Sequence, residues 1–212
     1  RNGSGKSTLL KLLSGIIRGM QGRIELKGRD LSSLTGSDRA QLVGYLAQFH
    51  QAVFPFTVED VVLTGRAAYV MTMPASRDRD AAEAAIQMTG IGHLRQRPYT
   101  ELSGGERQLV MFARVLAQEP QIILLDEPFS HLDLANQVRL LGLLKKLMES
   151  GITILAVLHD PNTAFLYSDS IICLIDGVVA EPAAAALPWD PAFLSKIYGV
   201  ELETVPYRGK AL

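Results

Sequence analysis

Arg1-Asn2-Gly3-Ser4-Gly5-Lys6-Ser7-Thr8 opens the chain, and it follows the phosphate-binding pattern G-x-x-x-x-G-K-[ST] from that pattern's second position. The leading Gly would fall one place before Arg1. Backbone N–H groups from Asn2 to Lys6 can line a concave nest, and Gly3 and Gly5 permit the φ/ψ values that turn those groups inward around Ser4. Lys6 reaches the β- and γ-phosphates of a nucleoside triphosphate, and the Ser7 hydroxyl ligates Mg²⁺. With Thr8 the chain enters a helix whose positive end faces the same anion. An apolar stripe, Leu9, Leu10, Leu12, Leu13 and Ile16, argues against a mere Gly/Ser turn.

Beyond Gly15, a helix stop, strand-like and helix-like segments alternate, which predicts an α/β fold, a P-loop core with a largely parallel sheet. Residues 23–27 alternate as a half-buried strand closed by Gly28, and residues 42–47 form another. Residues 121–125, 152–158 and 171–175 are short apolar runs of the kind buried on both sheet faces. Asp176-Gly177 turns the last run into a hairpin with residues 178–180. A helical subdomain is expected over about 54–118. There Thr57-Val58-Glu59-Asp60 forms a capping box and residues 80–89 make a helix stopped by Gly90. Asp190-Pro191 starts a last short helix, to about Tyr198, within a C-terminal extension of about 182–212. The expectation is one domain over 1–212 whose first strands lie upstream.

The 212 residues, 48% hydrophobic and 20% charged, are ordinary for a soluble globular domain with a substantial core. A net charge of −1 without a basic cluster offers nothing for nucleic acid. No apolar run approaches the ~20 residues of a membrane helix, so a membrane role must come through a partner. The single cysteine, Cys173, excludes a disulfide framework and reads as inert core in a reducing compartment. His50 and His93 read as surface residues, Tyr45, Phe54, Phe56 and Tyr69 as packing residues, and Trp189 as an anchor for the C-terminal segment.

Ile122-Ile123-Leu124-Leu125-Asp126-Glu127 carries a second nucleotide motif. A buried apolar strand delivers Asp126, which holds Mg²⁺ through its water shell, and Glu127 is the candidate base for the attacking water. Leu102-Ser103-Gly104-Gly105-Glu106 is the most specific signal. Ser103 and Glu106 form a capping box, and Gly104-Gly105 leave the helix mouth open to an anion. That helix packs Leu109, Val110, Phe112, Ala113 and Leu116.

Together these motifs resemble the ATP-binding cassette (ABC) ATPases over essentially the whole chain. Residues 102–106, continuing into Arg107-Gln108, resemble the ABC signature. Gln48 matches the Q-loop glutamine, Ser130-His131-Leu132-Asp133 the D-loop, and His159 in Leu158-His159-Asp160 the switch histidine. The resemblance implies that Gln48 touches Mg²⁺ and the attacking water and links the site to a transport partner. It implies that His159 contacts the γ-phosphate and that Asp133 belongs to the nucleotide site. It implies a homodimer closing ATP between the P-loop of one copy and residues 103–106 of the other. A transmembrane permease, served by a substrate-binding protein, and a peripheral place on the cytoplasmic face of the membrane follow from the same resemblance.

Within the family, residues 54–66, Leu134-Ala135-Asn136-Gln137 after the D-loop, and Tyr198-Gly199-Val200 resemble importers of iron–siderophore, haem and cobalamin. Molybdate and tungstate importers share much of this pattern, including a pair like Pro161-Asn162. The rival class is a soluble ABC-type switch in DNA repair or translation. Such proteins carry a long coiled coil or two cassettes, and residues 9–100 hold neither. Phe129 stands where a small hydroxyl residue is usual, and Pro161 where Leu is common. The aromatic residue that stacks on adenine is expected upstream of Arg1.

Overall fold

The computed structural model describes residues 3–19, 21–48, 55–180, 190–203, 205–207 and 210–211. Arg1, Asn2, His50, Phe54, residues 183–186 and Trp189 lie outside them. The chain divides into two compact units, Leu10–Val157 and a second made of Arg1–Leu9 with Leu158–Leu212. Helix α1 (Lys6–Leu13) follows the opening turn and ends before Gly15, whose φ of +72° suits a helix stop.

In the larger unit, β1 (Glu25–Leu26) and β2 (Arg29–Asp30) pair antiparallel around Lys27 and Gly28, both at positive φ. That two-residue turn matches the twist of a hairpin. Residues 23–27 therefore supply only a short first arm, not an independent strand. Helix α2 (Gly36–Leu42) went unread in the sequence; Thr35 and Asp38 cap its start reciprocally. Then β3 (Val43–Leu46), β4 (Ile122–Asp126) and β5 (Thr153–Val157) form a parallel sheet in that order.

Strand β4 is buried along its whole length, and its side chains alternate between two apolar clusters. Ile123 and Leu125 join one, with Leu46 from β3 and Ile154 and Ala156 from β5. Ile122 and Leu124 join the other, with Leu10, Leu26, Leu42, Val43 and Val157. Central position explains the unbroken apolar run.

Between β3 and β4 the described residues form α3 (Val58–Leu63), a 3₁₀ turn (Thr64–Ala68), α4 (Ser76–Thr89), two more 3₁₀ turns (Gly92–Leu94 and Tyr99–Glu101) and α5 (Gly104–Leu116). Both expected capping boxes, Thr57/Asp60 and Ser103/Glu106, are formed reciprocally. Helix α4 starts a turn before the expected residue 80. There the Ala75 N–H donates to Asp78 Oδ2 at 2.9 Å, a local cap for the earlier turn. It ends at Gly90 in the left-handed region.

Arg66 fastens this region. Only 3% exposed, it donates from Nε to Asp78 at 3.1 Å and from Nη1 to the Ala117 carbonyl and Glu119 at 2.9 and 2.7 Å. Its guanidinium lies 3.8 Å from the Tyr69 ring centroid. The Ala75 N–H, then Arg66, hold the Asp78 carboxyl below the usual carboxylate range. A buried cation is tolerated because it is paired and hydrogen-bonded. Beyond β4, α6 (Leu134–Glu149) adds Leu140, Leu144 and Leu147 to the first cluster.

The smaller unit holds α7 (Pro161–Tyr167), capped by Asp160 with Pro161 in its first turn, so the departure at Pro161 costs the helix nothing. Residues 171–175 do not enter the parallel sheet. Strand β6 (Cys173–Ile175) is half-buried and pairs antiparallel with β7 (Val178–Ala180), because Asp176 and Gly177, at φ +48° and +80°, fold the chain back at once. Cys173 is accordingly half-buried rather than deep core, though burial still pushes its thiol up. Helix α8 (Pro191–Tyr198) is capped by Asp190 and stopped by Gly199. A final pair, β8 (Pro206–Tyr207) and β9 (Lys210–Ala211), runs antiparallel. Among the described residues no helix is long and apolar enough to cross a membrane.

Gly65 tests the packing of the helical segment. A Cβ there would lie 2.2 Å from the Arg114 carbonyl oxygen of α5. Gly65→Ala should cost about 1–3 kcal/mol. Gly142→Ala, in α6 with open space around it, should instead stabilise by up to about 1 kcal/mol. Urea midpoints of the two variants at unchanged slope check both.

Candidate functional site

The larger unit gathers most of the motif side chains. Asp126 ends β4 and is 2% exposed; the Tyr45 hydroxyl lies 3.5 Å from its Oδ2. Register explains the pairing, since Tyr45 stands opposite Leu124 and so shares a sheet face with Asp126. Burial first, then the Asp126 charge, pushes the Tyr45 phenol up to about 12. It is protonated across the physiological range and can act there as a donor.

At Glu127 the backbone turns to φ +53° and its N–H bonds the Val157 carbonyl at 3.2 Å. A non-glycine residue there is uncommon and held by its surroundings. The Glu127 carboxylate receives Gln48 Nε2 at 2.6 Å and Ser130 Oγ at 3.2 Å, both on Oε2. Gln48 and Glu127, distant in sequence, are thus in direct contact. Sequence reading placed both in the site but missed Tyr45 and Ser130 as their neighbours. Ser130 was signalled by lying three residues after Glu127; Tyr45 needed the strand register.

Ser103 caps α5, its hydroxyl accepting the Glu106 N–H at 3.2 Å while Glu106 Oε2 accepts the Ser103 N–H at 2.8 Å. Hydrogen bonds to its carboxylate, from the Ser103 backbone N–H first and then from the Ser103 hydroxyl, hold the Glu106 carboxyl below its usual range. The double glycine has a packing role as well. A Cβ on Gly105 would lie 3.1 Å from the His131 carbonyl oxygen, and one on Gly104 3.5 Å from His131 Cβ. Gln108 Nε2 donates to the Pro128 carbonyl at 3.2 Å, tying α5 to the chain that leaves β4. Asp133 accepts the Asn136 N–H at 2.8 Å and caps α6. Phe129 packs against the first apolar cluster, which accommodates its bulk.

The smaller unit holds the opening turn. Gly3 and Gly5 take φ of +80° and +91°, values that L side chains rarely adopt. Lys6 Nζ donates to Ser4 Oγ at 3.1 Å, and the buried Ser4 accepts the Gly177 N–H at its carbonyl, also at 3.1 Å. Gly5 lies against Leu174 and Gly177, so the β6–β7 turn backs the loop. Ser7 and Thr8 stand in the first turn of α1. Asn2 lies outside the described residues. His159 is exposed, and its carbonyl accepts the Tyr198 hydroxyl at 3.5 Å.

Comparison with known proteins gives one consistent result. Residues 1–130 match the family model described as ABC transporter. An uncharacterized ABC transporter ATP-binding protein of Haemophilus influenzae is 41% identical over 175 residues, which are 82% of this chain and 66% of that protein. A hemin import ATP-binding protein of Bordetella avium is 38% identical over 218 residues, 99% of this chain and 83% of the relative. A solved inward-facing transporter, described as of the metal-chelate ABC type, superposes with a TM-score of 0.81 at 34% identity, covering 100% of this chain and 82% of that one. A dimeric ATP-binding cassette solved in a post-hydrolysis state with ADP and Pi gives 0.74 at 30% identity, covering 85% and 81%.

The capping box at the mouth of α5 gives a pH-resolved expectation. The depressed Glu106 carboxyl contributes stability that is present above its unfolded value, near 4.5, and is lost as pH falls through its lower folded value. Glu106→Ala should therefore destabilise the protein at pH 7, and the gap to the parent should narrow below pH 4.5. Urea unfolding at pH 7 and pH 4 compares the two.

Proposed function

Because the chain belongs to the ABC transporter family, we propose that it is the nucleotide-binding subunit of an importer, hydrolysing ATP to drive uptake of a metal chelate through a partner permease. The carrying observation is the 38% identity to a hemin import ATP-binding protein over 99% of the chain, supported by the metal-chelate type neighbour at a TM-score of 0.81. Iron–siderophore, haem and cobalamin are the cargo class.

In this role the loop at residues 2–6 and Lys6 hold the triphosphate, with Ser7 and Thr8 at the helix start. The positive φ values of Gly3 and Gly5 favour N–H groups directed to an anion. The donor set suits Mg²⁺: the buried Asp126 carboxylate, the Ser7 hydroxyl and the Gln48 amide oxygen are all hard ligands. Mg²⁺ keeps several waters and shares phosphate ligands, so a few protein oxygens suffice to hold it. Mg²⁺, when bound, neutralises charge on the β- and γ-phosphates.

Glu127 serves as the base, accepting the proton of the attacking water while Gln48 and Ser130 orient its carboxylate. His159 contacts the γ-phosphate. A second copy, head to tail, brings Ser103, Gly104, Gly105 and Glu106 to the first copy's ATP, with Asp133 at the junction. The dimeric cassette among the solved relatives supports the pairing of two copies. Splitting the site between copies makes closure depend on ATP, so hydrolysis can be coupled to movement. The subunit works peripherally on the cytoplasmic face of the membrane, with a substrate-binding protein delivering cargo to the permease. Phe56, 57% exposed beside the capping box of α3, anchors the permease.

In the full-length protein, Glu127→Gln should slow hydrolysis about 10²–10⁴-fold with ATP binding intact. That is roughly 3–5 kcal/mol of barrier. ATP should then persist between two copies, and a dimer should accumulate on size-exclusion chromatography with ATP and Mg²⁺. Asp126→Asn, which weakens the metal site, should trap it less well. Near-normal turnover by Glu127→Gln would hand the base to another group.

Phe56→Asp should leave the cassette's own ATPase rate within about twofold while abolishing co-purification with the permease, as expected for an apolar anchor at an interface. Undiminished complex formation would rule out Phe56 as the anchor.

A further inference from the structure

Tyr198 is the last residue of α8, where the chain reaches Gly199 and Val200. That helix is held along its length. Asp190 Oδ1 accepts the Phe193 N–H at 2.9 Å at its start. Leu194 and Ile197, three residues apart and so on one face, are buried. At its end the Gly199 N–H bonds the Ser195 carbonyl at 2.7 Å. The Ser195 hydroxyl accepts the Leu202 N–H at 2.9 Å, which ties the following chain to the helix. Tyr198, half-buried, is therefore carried on a fixed support.

Its hydroxyl donates to the His159 carbonyl at 3.5 Å. His159 is exposed and stands just before α7. On the other side of that peptide Asp160 accepts the Asn162 and Thr163 N–H groups at 3.2 and 2.9 Å. The peptide plane between His159 and Asp160 thus has α8 on its carbonyl and the cap of α7 beside it. That plane sets ψ of His159, and the rotamers open to a side chain depend on its backbone angles. A bond to the carbonyl therefore bears on where the imidazole points. At its length the bond is weak, so its loss should shift the spread of imidazole positions without unfolding the turn. Burial first, then Cys173 and Asp160, pushes the Tyr198 phenol up. The hydroxyl keeps its proton across the physiological range and remains a donor.

We propose that Tyr198 is a positioning residue for hydrolysis, its hydroxyl holding the His159 peptide so that the imidazole meets the γ-phosphate. This rests on the reading of His159 as a γ-phosphate contact. Both residues lie in the smaller unit, so the C-terminal extension contributes to the nucleotide site. A contact to the γ-phosphate is made with ATP and absent with ADP. Misplacing the imidazole therefore penalises one nucleotide and spares the other, whereas general loosening of the site penalises both.

Tyr198→Phe removes the hydroxyl and keeps the half-buried ring. In the full-length protein it should lower kcat about three- to tenfold, the scale of one lost hydrogen bond. Affinity for a non-hydrolysable ATP analogue should fall by a similar factor, with ADP affinity unchanged within about twofold. Equal losses for the analogue and for ADP overturn the proposal.

A double-mutant cycle with His159→Ala adds a second readout. In the His159→Ala background, Tyr198→Phe should change analogue affinity by less than about twofold, because the hydroxyl acts through that imidazole. Independent, multiplying losses overturn the proposal. His159→Ala alone checks the reading beneath it. Near-normal turnover by His159→Ala removes the γ-phosphate role of His159 and the positioning role of Tyr198 with it. Slowed turnover by His159→Ala beside unchanged turnover by Tyr198→Phe overturns the positioning role alone. Nitrogen-15 NMR of the histidines, without nucleotide, tests the geometry apart from catalysis. The His159 imidazole resonances should move in Tyr198→Phe, and unmoved resonances overturn the proposal.

Discussion

Burial of β4 on both faces is the constraint on which the larger unit depends. A strand covered from both sides must be apolar along its length, and Ile122 to Leu125 satisfy this by feeding two clusters in alternation. The strand can meet polar groups only at its end, and there it delivers Asp126 and Glu127. The apolar run and the paired carboxylates are thus one feature. The turn to φ +53° at Glu127 changes the direction of the chain at the point where the core stops, and so gives the two adjacent carboxylates different neighbours, Tyr45 for one and Gln48 with Ser130 for the other.

Much of this was legible in the residues because it is local. The capping boxes at Thr57 and Ser103, the stop at Gly90 and the Asp176-Gly177 hairpin each depend on neighbours within a few positions, and each formed. Helix α2 was equally local and escaped notice because Thr35-Gly36-Ser37-Asp38 reads as a polar loop until the Asp38 carboxylate is recognised as a cap. What the sequence withheld was pairing across distance. Residues 171–175 have the composition of a strand buried on both faces, and although the turn after Ile175 was legible, the half-burial of β6 and its pairing with β7 outside the parallel sheet were not. The Tyr45 approach to Asp126 depends on the register of β3 on β4, which no periodicity in either strand specifies.

The glycines at the mouth of α5 show how a functional pattern and a packing pattern can coincide. Their place before an open helix end suits an anion, yet the turn at His131 also passes too close to Gly105 for a side chain to be added without adjustment. The signature segment and the turn after β4 are therefore fitted to one another within a single copy, before any second copy is considered. Gln108, reaching from α5 to the Pro128 carbonyl, reinforces that fit.

The bond between Ser4 and Gly177 has a consequence for how the protein is made. The hairpin turn that backs the loop of residues 3–6 is synthesised about 170 residues after it. Closing so long a loop is slow compared with local helix formation. At synthesis rates of about 5–20 residues per second, the nascent loop waits on the order of ten seconds or more for its support. During translation the chain can therefore build the helices around α5 well before its phosphate loop gains the support of the β6–β7 turn.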